Sequence, residues 1–212
     1  MQTQDRYSSY PEGMAIPQII GMVGGPLLMG ALLVWYIRRE RTSQREVERA
    51  WVEFVTRRPG WRLDWAAKPF WMLHKYDATR YAMTGFAWGV PVEVELVHQK
   101  THHTLVRVPI AVPADTPPGA TLLEDALEPD ARARWHQLRS LRPRAAIEVW
   151  PTLLPGRPPR RGEGHRISVS WVGRERDPAV LEAAIGLLLT LAARPPARLG
   201  PGTRFVPYYL RG

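Results

Sequence analysis

Three histidines, His98, His102 and His103, stand within the six residues HQKTHH and form the densest group of histidines in the sequence. Imidazoles this close suit zinc, copper or nickel when carboxylates or thiolates complete the set. Here no carboxylate lies in the segment, Glu93 and Glu95 sit back along the preceding strand pattern, and Lys100 adds a repelling charge. A solvated polar turn is therefore expected, not a metal centre. His74, His136 and His165 are scattered. Cysteine is absent, which excludes disulfides, thiolate metal sites and cysteine nucleophiles together.

Other catalytic patterns are equally thin. Ser168 and Ser170 fall in an alternating run, HRISVSWVG, without the Gly-x-Ser-x-Gly turn that exposes a nucleophile. GMVGG lacks the Gly-Lys-Ser/Thr ending of a phosphate-binding loop and lies inside an apolar stretch. Glu124, Asp125, Glu128 and Asp130 crowd the start of a short helix, where acids favour the local dipole. The expectation is a non-catalytic protein with no metal and no cofactor.

Arginine offers a different chemistry. Arg157, Arg160 and Arg161, with Arg166 just beyond, make a basic loop able to bind acidic protein surfaces or lipid phosphates in bidentate fashion. The chain carries a net charge of +9, and beyond residue 37 it has 28 basic against 18 acidic residues, a net +10. Such a surface is drawn to anionic partners. Without a stacking motif or a recognition helix, nucleic acid is not expected among them.

The elements that must carry these groups begin with an apolar run. From Met14 to Ile37 there are 24 residues without a charge, and about 20 apolar residues suffice to cross a bilayer as a helix. Trp35 and Tyr36 close the run, then Arg38, Arg39 and Arg41 follow, the order of a headgroup belt and a cytoplasmic flank. An export signal would put the basic residues first and a small-residue cleavage site last. An uncleaved single span is expected, with residues 1–13 as a short extracytoplasmic N-terminus and the arginines on the cytoplasmic side. Gly21 and Gly25 give it a Gly-x-x-x-Gly face for a second helix, and Pro26 is expected to kink it.

Residues 38–58 read as a juxtamembrane amphipathic helix, with Val47, Trp51, Phe54 and Val55 on one stripe. Residues 61–194 read as a cytoplasmic α+β domain: a mostly antiparallel sheet with a few packed helices. Its signals are the alternation of Val92, Val94 and Leu96 against Glu93 and Glu95, and the even run from Thr104 to Val112. Gly85 and Gly89 are read as bends. A helix near Pro129 with Ala131, Trp135 and Leu138 on one side follows, and another is capped by Asp177-Pro178. Residues 195–212 form an apolar tail, RFVPYYLRG at its end, with Phe205, Tyr208 and Tyr209 expected to dock on the domain or on a neighbour.

The layout of an outside N-terminus, one span and a basic β-rich cytoplasmic domain resembles, in outline, the H-type subunit of bacterial photosynthetic reaction centres. The expected function is that of a single-pass accessory or assembly subunit of an inner-membrane complex, with other membrane-protein subunits as partners and anionic lipid as a further one. A membrane-tethered enzyme with a dispersed site and a basic lipid-surface or sensor module are the alternatives.

Overall fold

Strict alternation of valine and leucine with glutamate in Val92–Leu96 sets the centre of the sheet, because successive side chains on a strand point to opposite faces. In a computed structural model that describes residues 16–65, 79–99, 101–113, 115–151 and 164–202, Val92, Val94 and Leu96 are buried and Glu93 and Glu95 are on the opposite face. The protein is α+β, with three α-helices and an eight-stranded antiparallel sheet among the described residues.

The strands are β1 (Arg62–Trp65), β2 (Thr79–Ala87), β3 (Val90–Gln99), β4 (Thr101–Ile110), β5 (Ala120–Leu122), β6 (Ala146–Pro151), β7 (His165–Val172) and β8 (Leu199–Gly202). They lie in the order β1-β2-β3-β4-β7-β6-β5-β8. The helices are α1 (Ile16–Thr56), α2 (Pro129–Leu141) and α3 (Pro178–Ala193). The chain divides into two units, Met1–Arg45 and Glu46–Gly212.

In the second unit the expected helical stripe is a core element. Val47, Trp51 and Phe54 are fully buried, and Val55 packs against the same cluster. α2 buries Ala131, Trp135 and Leu138, as its spacing predicts. α3 begins where Asp177 Oδ1 accepts from the Ala179 N–H at 2.9 Å, with Pro178 inside the first turn. Its buried leucines, Leu181, Leu187, Leu188 and Leu191 among them, pack beside β4 and β7.

Three local readings change. HQKTHH is not a free connection: His98 pairs with His102 and Val97 with His103 in the ladder between β3 and β4. The short strands β5 and β8 have no clear alternation, and β8 brings residues beyond 194 into the sheet edge by pairing with β5. Gly85 is not a bend but lies within β2. A Cβ there would stand 2.3 Å from Cδ2 of the Trp61 indole. Trp61 in turn meets Phe54 edge-on at 5.3 Å and donates from Nε1 to the Phe86 carbonyl at 3.2 Å. Gly85→Ala should therefore displace the indole and destabilise the fold by about 1–3 kcal/mol, the range for overpacking a core. Urea unfolding should show a lower midpoint with an unchanged slope; a midpoint equal to that of the parent protein refutes this packing.

The turn between β2 and β3 has only two residues, Trp88 and Gly89, with φ of 51° and 77°. Two positive φ angles mark the mirror-image hairpin turn that normally takes Asn, Asp or Gly. A tryptophan held in the left-handed region costs about 1–2 kcal/mol.

Candidate functional site

Three features stand out among the described residues. The first is the apolar run. Every residue from Leu27 to Ile37 is exposed, three turns at about 3.6 residues each, so all faces of the helix are bare. Arg39 places its guanidinium carbon 5.2 Å from the centre of the Trp35 ring, and Thr42 Oγ1 donates to the Arg38 carbonyl at 3.0 Å. No atom lies within 4 Å of a Cβ built on Gly25. Among the described residues, no helix is long and apolar enough to cross a membrane. The side-chain description of α1 takes in Gly25 and Leu27 onward, and the uncharged sequence continues back from there to Met14.

The second feature is a buried carboxylate. Glu175, 1% exposed, sits in the link between β7 and α3. Arg142 Nε donates to its Oε2 and Arg142 Nη2 to its Oε1, both at 2.7 Å. Trp171 Nε1 donates to Oε2 at 3.0 Å, and the backbone N–H groups of Arg176 and Asp177 donate to Oε1 at 3.1 and 3.0 Å. The main chain of the same residue is also held. Its N–H donates to Thr104 Oγ1 at 2.9 Å, that hydroxyl donates to the Gly173 carbonyl, and Trp51 Nε1 donates to the Glu175 carbonyl at 2.8 Å. One residue thus ties the last turns of α1 to β4, β7, the end of α2 and the start of α3. A carboxylate so fully bonded has no lone pair left for chemistry. Its role is to fix geometry.

The third feature is the sheet face opposite the core. The pairing registers set Thr84, Glu93, Arg107, Ser168, Glu148 and Thr121 in one row across six strands. Arg107 pairs with Glu95, and Arg166 pairs with Glu93. Pro91, Pro109, Arg107, Arg166 and Glu93 line a cavity of about 80 Å³ here. A larger groove of about 280 Å³ is lined by Glu53, Phe54, Arg57, Arg58, Pro178 and Glu182. In it Arg58 lies 3.7 Å over the Phe54 ring and pairs with Glu182, while Arg57 pairs with Glu53. In both cavities the charges close on one another.

Burial raises the pKa of Glu148 above its ordinary value, partly offset by the hydrogen bond it accepts from Trp150 Nε1 at 2.9 Å. A carboxyl raised in the folded state stabilises fully below its unfolded pKa, and that contribution is lost as pH rises through the folded value. Glu148→Gln should therefore flatten the stability profile above the normal carboxylate range and gain relative stability towards neutral pH. Denaturant midpoints across pH 4–8, variant minus wild type, should rise with pH; a constant difference refutes it. Burial also lowers the pKa of His103, whose Nε2 lies 2.9 Å from Thr101 Oγ1.

His102 Nε2 is 2.8 Å from Arg174 Nη2, so two of the three clustered histidines are engaged with protein side chains. Among the described residues no group of three or more His, Asp or Glu side chains is placed to hold a metal ion. The acids near α2 are paired instead: Glu124 with His136 and Arg139, Glu128 with Arg194. Trp35, Tyr36, Arg38, Arg39 and Arg41 lie on α1, all exposed. Gly21 lies on α1 as well, with its surroundings outside the description. Arg157, Arg160 and Arg161, and Phe205, Tyr208 and Tyr209, lie outside the described residues. Sequence reasoning missed Glu175 because nothing local marks it as buried; its one signal is a glutamate wedged between a buried strand and a helix cap. Trp88 was missed as a turn residue because Trp-Gly is not a usual turn pair.

No protein-family model, no curated protein and no solved structure matches this chain.

Proposed function

We propose that the protein is a non-catalytic, single-span accessory or assembly subunit of an inner-membrane complex, its arginine-flanked side facing the cytoplasm. The observation that carries this reading is the bare helix. Leu27, Leu28, Leu32, Leu33 and Trp35 are each at least half exposed, and each large apolar side chain left in water forgoes about 1.5–3 kcal/mol of burial. A helix apolar on every side belongs in lipid or deep inside a larger assembly. Extension of the uncharged sequence to Met14 supplies the length of a span. The arginines after Trp35 and Tyr36 supply its direction.

The accessory role is supported by how the rest is built. The buried Glu175 junction braces the helix-to-sheet packing, and the two cavities hold ion pairs satisfied internally. These are arrangements for holding a shape, not for turning over a substrate. Gentle-detergent extraction of native membranes followed by native mass spectrometry tests it. A particle containing further subunits in fixed ratio is expected, and a strictly monomeric species overturns the reading.

A further inference from the structure

We propose that the β2–β3 hairpin tip is a second membrane contact, seating Phe86 and Trp88 in the headgroup layer of an anionic bilayer. The fold gains nothing from the arrangement by itself. Trp88 is 89% exposed and Phe86 66%, and Trp88 is held at positive φ where a small polar residue would sit without strain. A strained residue that buries little surface at home points to use elsewhere.

The chemistry of the tip selects the occupant. Thr84 to Pro91 carries no charge, and Ala87 pairs with Val90 directly behind the turn, so the backbone there can enter a drier layer with few bare polar groups. Indole has an apolar body and one N–H, the combination that favours the headgroup region. Arg62 is exposed and stands opposite Thr84 in the β1–β2 ladder. Alternation places it on the same face as Phe86, two residues on, where a guanidinium can meet a lipid phosphate. The net +10 beyond residue 37 favours an anionic surface. A protein partner would call for a rim of contacts around the anchor residues. This tip has instead a two-residue turn, Trp88 and Gly89, with Pro91 exposed just behind it.

The contact does not depend on the span proposed for residues 14–37, and the experiment separates the two. The chain has no cysteine, so single variants Trp88→Cys, Leu32→Cys and Val172→Cys can each carry one environment-sensitive fluorophore. The full chain is reconstituted in phosphatidylcholine–phosphatidylserine vesicles containing headgroup-level or acyl-chain nitroxide lipids. The label on Trp88→Cys should be quenched several-fold more by the headgroup-level nitroxide than the label on Val172→Cys, another exposed apolar position. Quenching at Trp88→Cys equal to that at Val172→Cys overturns the contact, whether or not Leu32→Cys is quenched from the acyl region. Quenching at Trp88→Cys without any at Leu32→Cys upholds the contact and removes the span. A label shielded from water yet untouched by either nitroxide identifies a protein neighbour and also overturns it. Trp88→Asn supplies the independent arm: it should raise the folding equilibrium several-fold by relieving the turn, and a loss of stability would show that the indole serves the fold.

Discussion

Glu175→Ala is expected to destabilise the folded domain by about 3–5 kcal/mol, because the buried donors gathered on the carboxylate lose their acceptor. Loss of the carboxylate leaves the indole N–H of buried Trp171 and two backbone N–H groups without acceptors, and each buried donor so orphaned costs about 1–3 kcal/mol before relaxation. Since typical domains have only about 5–15 kcal/mol in hand, the variant should show a large fall in unfolding midpoint. Arg142→Ala should cost less. The arginine side chain is one-third exposed, and without it the carboxylate keeps three donors. Equilibrium urea unfolding of both variants gives the comparison. An Arg142→Ala loss larger than that of Glu175→Ala would refute the view that the carboxylate, not the ion pair, is the centre of the junction.

Leu27→Arg combined with Leu28→Arg should abolish membrane retention under the proposed anchor. An arginine near the middle of a spanning helix costs about 2.5–3.5 kcal/mol on insertion scales, so two cost about 5–7 kcal/mol, or roughly four to five powers of ten in partition. Flotation of cell membranes through a density gradient distinguishes the outcomes, because inserted protein floats whereas aggregate sediments. Leu27→Ala with Leu28→Ala should still float. Undiminished flotation of the double arginine variant would mean that residues 14–37 are not what holds the chain at the membrane. Both leucines are well exposed on the described part of α1, and the alanine pair controls for loss of the leucine side chains themselves.

Wherever one side chain's face depends on near neighbours in sequence, the sequence was a sufficient guide. The stripe Val47–Trp51–Phe54, the alternation through β3 and β4, the buried side of α2 and the Asp177-Pro178 start of α3 all follow from a local period of 3.6 or 2, or from a cap. The apolar run and its arginine flank also belong to this class, since charge and length along the chain define them. Here the sequence told which side of each element is apolar. It could not say which elements meet.

Those meetings were decided by tertiary structure. Glu93 and Arg166 are 73 residues apart and become a pair only because β4 lies between β3 and β7 in a fixed register. Gly85 reads as a bend until Trp61, 24 residues earlier, fills the space above it. Glu175 looks like one charge among several in GRERDP. It becomes the most heavily bonded carboxylate described only when α1, α2, β4 and β7 converge on it. The physical reason is common to all three. Periodicity is set by the geometry of one backbone segment, whereas register, close approach and the desolvation that turns a surface charge into a buried one arise from segments that touch only after the chain has folded.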